Sequence, residues 1–219
     1  MSRGTDCPHH ERNKNESDRP SLALPASTAV LVVDMGNDFC NDGGAMVLPG
    51  SDVLYPPIAR LTDTARDLGA HIVWVRDEHE PGDREFRKRS VHCLRGTWGA
   101  QIVDELPQHE SDSVRTKRTF SSFYGSDLDA WLMERGITHL IVCGVVTNIC
   151  VRSTVHDAFF RGFEVAVATD ACAGTSDREH EAAIYDMDTH FAHADSVDEL
   201  LAGAATSSRA QPIAGSHDG

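Results

Sequence analysis

Nearly unbroken apolar runs alternate along this chain with segments whose apolar residues recur every three or four positions. Thr28 to Asp34, TAVLVVD, is apolar almost throughout, as a parallel strand covered on both faces is. Val53 to Leu68 has helical spacing and stops at Gly69; Ala70 to Asp77, AHIVWVRD, reads as a second strand. Ser111 to Lys117, SDSVRTK, is a shorter third. Leu128 to Arg135 reads as a helix ended by Gly136, and Thr138 to Gly144, THLIVCG, as a strand. Asn148 to Arg161 is a helix closed by Gly162, followed by the strand EVAVATD from Glu164. A helix over Arg178 to His190, a short strand near His193 and a closing helix, SVDELLA, complete the series. Such alternation predicts an α/β fold of three layers, α/β/α, around a mostly parallel sheet of roughly six strands.

The two ends lack this patterning. Met1 to Pro20 has almost no aliphatic residues and is expected to be a disordered arm. Cys7, His9 and His10 lie in it; they are potential metal ligands, but a solvated tail is the simpler reading. The domain is placed at residues 21–204, with a flexible tail over 205–219.

Composition narrows the classes of function. The chain has 219 residues, 40% hydrophobic and 25% charged, enough for one core that needs no disulfide or metal to fold. Its formal net charge of -14 argues against a nucleic-acid partner, whose phosphates call for basic patches. No apolar run approaches the roughly 20 residues that span a bilayer, so no membrane partner is expected. The six cysteines are scattered, with no CxxC pair and no secretory signal pattern, which points to a reduced, cytoplasmic protein.

Parallel sheets bind ligands beyond the carboxyl ends of their strands. Asp34 ends the first predicted strand, Asp77 the second and Lys117 the third, and Cys150 follows the fourth. Taken singly, Cys150 is either a small core residue or a nucleophile, Asp34 a structural cap, and Lys117 a solvated charge. Together they make a nucleophile, a base and an electrostatic partner. The first turn of a helix favours a thiolate, so Cys150 is expected to have a lowered pKa. The tight turn before it is suited to aiming backbone N–H groups at an oxyanion.

Three segments carry a resemblance. VLVVDMGNDFC, TKRTFSSFYGSDLDAWL and CGVVTNICVRSTVHDAFFRGFEVAVATDACAG resemble the catalytic blocks of the isochorismatase-like cysteine hydrolases, a family that includes nicotinamidases and N-carbamoylsarcosine amidohydrolases. The likeness runs from about Thr28 to Val197. It implies Asp34, Lys117 and Cys150 as a catalytic triad. It also implies a cis peptide between Val145 and Val146, with the N–H groups of Val146 and Cys150 as the oxyanion hole. Phe39 is a candidate substrate contact. Gly36 is a departure, since members often carry Gln there.

RDEHEPGDREFRKRSVHCLRGTWGA, after the second strand, holds a candidate metal site. Asp77 and His79 project the same way from an extended backbone, and Glu85 and His92 follow. This donor set suits Zn²⁺, Mn²⁺ or Fe²⁺; on the residues alone, a charged surface loop is an equal reading. Metal-containing nicotinamidases have a similar pattern, which the resemblance carries to Asp77, His79 and His92, with Glu85 as a fourth ligand. Three residues before the ligand histidine those enzymes place an aromatic ring; here Arg89 stands there, and Trp98 is the nearest candidate replacement.

The reading that follows is a homo-oligomeric cysteine amidohydrolase acting on a small carboxamide, nicotinamide-like, through a thioester, with a divalent metal and no organic cofactor. An N-carbamoyl or lactam amide is the first alternative. A vinyl-ether hydrolase of the isochorismatase type and a non-catalytic interaction module are the others.

Overall fold

Apolar side chains fill both faces of the central strands, so helices must cover the sheet on each side. The computed structural model describes residues 26–208. In chain order the strands are β1 (Thr28–Val33), β2 (His71–Asp77), β3 (Ser113–Lys117), β4 (His139–Val145), β5 (Glu164–Ala173) and β6 (His193–Asp195). The helices are α1 (Asn37–Cys40), α2 (Tyr55–Asp67), α3 (Leu128–Glu134), α4 (Arg152–Phe160), α5 (Asp177–His190) and α6 (Val197–Ser208). All six strands join one sheet in the order β3-β2-β1-β4-β5-β6, and every pairing is parallel. This is the three-layer α/β architecture that the alternation predicted. No helix among the described residues is long and apolar enough to cross a membrane.

The strand order positions the site. From β1 the sheet grows one way through β2 and β3, and from β4 the other way through β5 and β6. Connections therefore leave β1 and β4 in opposite directions, and a crevice opens between their carboxyl ends. The two strands meet closely there because Gly144 has no side chain. A Cβ at that position would come 2.1 Å from the carbonyl oxygen of Val33, and Gly144 has a φ of 108°, in the region that favours glycine. The register of β4 on β5 shifts between Val142 and Gly144, where β5 takes up the extra residues beside the carboxyl end of β4.

Two elements differ from expectation. The helix predicted over Asn148 to Arg161 is divided: Thr147–Val151 forms a single π-type turn, and α4 begins at Arg152. The wider turn is closed by Val151 N–H donating to the Val146 carbonyl at 3.3 Å. The closing helix runs to Ser208, beyond the boundary placed at residue 204. Cys7, His9 and His10, with the rest of the proposed arm, lie outside the described residues.

Candidate active site

Asp34 is the residue after β1, and it has a φ of 55°, in the left-handed region that costs a side-chain-bearing residue about 1–2 kcal/mol. Its N–H donates to the Val75 carbonyl at 2.8 Å, which holds this conformation against β2. Lys117 ends the edge strand β3 opposite Asp77 of β2. Its side chain crosses β2, so that Nζ lies 2.5 Å from Asp77 Oδ1 and 2.7 Å from Asp34 Oδ2. Both Asp34 oxygens are buried, and the carboxylate stands between this ammonium and the Cys150 thiol. The reactive atoms of Asp34, Asp77 and Cys150 all fall within 4.8 Å of one another. All four side chains are buried.

Burial and charge set the protonation of this group. Burial, reinforced by the neighbouring Asp77 carboxylate, raises the Asp34 pKa to about 7, with the Lys117 ammonium opposing both. Burial also works against the Lys117 charge, but Asp34 and Asp77 outweigh it and hold the lysine protonated well above its ordinary range. The thiol behaves differently from the sequence expectation. Burial pushes Cys150 well above the usual thiol range despite the attraction of Lys117. At neutral pH the group therefore rests as a thiol, an ammonium and a carboxyl poised between its two forms. The Val145–Val146 peptide is cis, as the resemblance implied, and it leads directly into the turn that carries Cys150.

The metal candidates converge beside this group. His79 Nε2 lies 3.7 Å from Asp77 Oδ2, His92 Nε2 lies 3.9 Å from the same oxygen, and His92 Nε2 is 3.9 Å from Glu85 Oε1. Donors bound to one transition metal at about 2.0–2.2 Å sit roughly 3–4 Å apart, so Asp77, His79 and His92, whose donor atoms lie within 4.8 Å of one another, fit one ion, with Glu85 beside His92 at the edge of the group. His79 Nε2 is buried without a hydrogen-bond partner, as a ligand nitrogen lacking its metal would be. Asp34, Asp77 and Cys150 form a second group of potential ligands, but the Lys117 ammonium already supplies the positive charge there. The histidine group is the better metal site.

A cavity of about 240 Å³ opens over both groups. Asp34, Asp77, Glu85, Arg89, His92 and Cys150 line it, together with Phe39 and the apolar segment Met46 to Pro49. Val145, Val146 and Ile149 form the wall beside the thiol. Phe39 is buried, with its ring 5.4 Å from that of His92. Trp98 departs from its expected place. It is 49% exposed and lies outside the cavity lining; its carbonyl accepts from Asn37 Nδ2 at 2.9 Å. The GTWGA turn acts through Gly99 instead, where a Cβ would sit 2.1 Å from an Asp38 carboxylate oxygen.

That carboxylate is one of three supports the sequence reading missed. Asp38 accepts from the Cys93 N–H at 2.6 Å and the Ala45 N–H at 3.0 Å, joining α1 to the loop that carries His92. Cys93 has a φ of 44°, so the loop needs such an anchor. Asp83 lies 2.9 Å from His79 Nδ1, which turns Nε2 toward Asp77. Arg118 grips Asp83 with two nitrogens, and this ion pair holds the Asp83 carboxyl below its ordinary range. The i, i+4 spacing of His79 and Asp83 was the only signal of this support in the sequence.

The chain is similar in sequence and fold to known proteins. The isochorismatase domain family model matches residues 28–199. A ureidoacrylate amidohydrolase from Enterobacter sp. (strain 638) is 35% identical over 195 residues, 76% of this chain and 84% of that protein. A probable inactive nicotinamidase from Arabidopsis thaliana is 36% identical over 172 residues, covering 74% and 88% of the two chains. Among solved structures, the pyrazinamidase of Pyrococcus horikoshii in complex with zinc superposes with a TM-score of 0.74 at 32% identity. That match covers 78% of this chain and 99% of the other.

Proposed function

The chain belongs to the isochorismatase family, and from that membership we propose that it is a cysteine amidohydrolase that cleaves a C–N bond of a small amide. One observation carries the proposal: Asp34, Lys117 and Cys150, from three separate strand ends, meet within one buried cluster at the floor of a cavity.

The geometry supports the following sequence. Asp34, as carboxylate, takes the Cys150 proton while sulfur attacks the amide carbonyl. We assign the N–H groups of Val146 and Cys150, both residues of the cavity wall at the turn after β4, to receive the new oxyanion. Asp34 returns the proton to the leaving nitrogen, and ammonia or an amine departs from a thioester. Asp34 then takes a proton from water as it attacks the thioester, and the thiol recovers its proton as the acid leaves. Lys117 offsets the charge of Asp34 and Asp77 throughout, so the base can ionise in a buried site.

Asp77, His79, Glu85 and His92 would hold a divalent transition metal. The two imidazoles and hard oxygen donors favour Zn²⁺, Mn²⁺ or Fe²⁺. Bound there, the ion would supply a Lewis acid beside the substrate cavity. The relative solved with zinc supports the site's capacity for a metal.

Because one relative bears the name of an inactive enzyme, turnover is the first quantity to measure. A panel of carboxamides and N-carbamoyl compounds is expected to yield ammonia. Intact-mass spectrometry with a slow substrate is expected to trap an acyl adduct on the wild type and none on Cys150→Ala. Amide turnover that survives in Cys150→Ala rules the mechanism out. Vinyl-ether hydrolysis, which needs no thiol, would persist in that variant.

A further inference from the structure

Resting on the amidase reading, we infer that the substrate is an anionic amide and that Arg89 is the residue that binds its carboxylate. The charges around the cavity motivate this. Asp34, Asp77 and Glu85 line it, and among the described residues Arg89 is the one lysine or arginine in the lining. Lys117 lies beneath, committed to Asp34 and Asp77. An amide with a carboxylate entering past three acidic groups needs a cation exposed to the cavity, and Arg89 is placed to be that cation.

Its setting is that of a prepared binding group. Arg87 and Lys88 of the same basic run are exposed, whereas the Arg89 side chain is 32% exposed and turned inward. The short turn Arg84–Arg87 continues into an Arg89 N–H to Glu85 carbonyl bond of 3.2 Å, which brings residues 85 and 89 to the same side. Arg89 Nε then lies 3.5 Å from Glu85 Oε1, while the guanidinium carbon sits 5.2 Å from the centre of the Phe120 ring. These contacts steady the Nε edge and the plane of the group. No hydrogen bond to another described residue occupies the guanidinium, so its terminal nitrogens are available. A carboxylate matches that fork with two parallel bonds. A dianion such as phosphate would bring twice the charge against three carboxylates and one cation. The cavity, at about 240 Å³, limits the ligand to a small molecule.

Two matched pairs test this without depending on turnover. N-Carbamoylglycine is compared with 2-hydroxyethylurea, and succinamate with 4-hydroxybutanamide, by calorimetric titration of Cys150→Ala. In at least one pair the carboxylate is expected to bind about tenfold tighter than its neutral partner, the size of one charge-assisted contact. Adding Arg89→Met is expected to bring that ratio close to one, and Arg89→Lys to restore it in part, since lysine keeps the charge but loses the fork. A ratio unchanged by Arg89→Met, or no carboxylate preference in either pair, overturns the assignment. Repeating the titrations after chelator treatment separates the other possible anion receptor. A preference that disappears with the metal but survives Arg89→Met also overturns the role of Arg89. Ammonia release by the protein with Cys150 intact tests the amidase reading separately, so the two can fail independently.

Discussion

The two halves of the cavity are held in place by different means. On the Cys150 side, Asp34, Lys117 and the turn after β4 sit at the ends of strands locked in one parallel sheet. The backbone ladder positions them, and the apolar core beneath fixes the ladder. On the His92 side, the segment from Glu78 to Gly99 contains short turns and one isolated bridge but no strand or long helix. Side chains do the positioning there: Asp38 on the Cys93 N–H, Asp83 on His79, and Arg118 on Asp83. A strand end is supported by many residues, so its position depends little on any one of them. A loop tied by three carboxylate contacts depends on each.

The largest expected effect falls on the strand side. Lys117→Met would leave Asp34 and Asp77 facing each other without their shared cation. Breaking a fully buried ion pair costs about 3–5 kcal/mol. Urea unfolding near pH 7.5 is expected to show a loss of that size, accompanied by loss of amide turnover. A stability change below about 1 kcal/mol would mean that the sheet alone holds this cluster.

On the loop side the same kind of disruption should appear as lost metal affinity rather than lost folding. Asp83→Asn keeps the shape of the side chain but weakens its hold on His79 and Arg118. Removal of such a support typically costs about 10–100-fold in metal affinity. Titration of the apo protein with Zn²⁺ is the measurement, with the unfolding midpoint as control. An unchanged affinity would break the contrast between the two halves.

The smallest effect concerns pH and sharpens the strand side alone. Asp34 is raised to about 7, chiefly by burial, so its base form declines as pH falls through that value. The protonated carboxyl cannot accept the thiol proton. With a substrate that does not ionise, kcat/KM is therefore expected to fall about tenfold per pH unit below pH 6 and to level above pH 8. A flat profile between pH 5 and 7 would remove Asp34 as the base.

The same contrast explains what was legible in the sequence. Strand ends are visible in the pattern: Asp34 and Asp77 close apolar runs, Lys117 closes the shorter SDSVRTK, and Cys150 follows THLIVCG. The strand order, and with it the crevice between β1 and β4, follows from the pairing of distant segments, and periodicity carries no record of that. The π turn at Thr147–Val151 was hidden for a related reason, because its residues keep helical spacing while the backbone does not. Trp98 shows the limit on the loop side. A large aromatic near the site looked like a substrate contact, yet the needed feature of its turn is the missing side chain of Gly99. Asp38, Asp83 and Arg118 escaped notice because a charged loop residue looks the same in sequence whether it faces water or anchors a neighbour.

Asp77 joins the two halves. One carboxylate oxygen faces Lys117 and the other faces the two histidines, so a single side chain serves both. Substitutions here should be strongly epistatic. Once Asp77 is altered, further changes at His79 or His92 would remove little that has not already been lost, whereas Lys117 would still pair with Asp34. A lineage could discard either histidine, and with it the metal, while still needing the aspartate to neutralise the lysine. Presence of this aspartate in a relative is therefore poor evidence that the relative binds a metal. The histidine pair is the diagnostic.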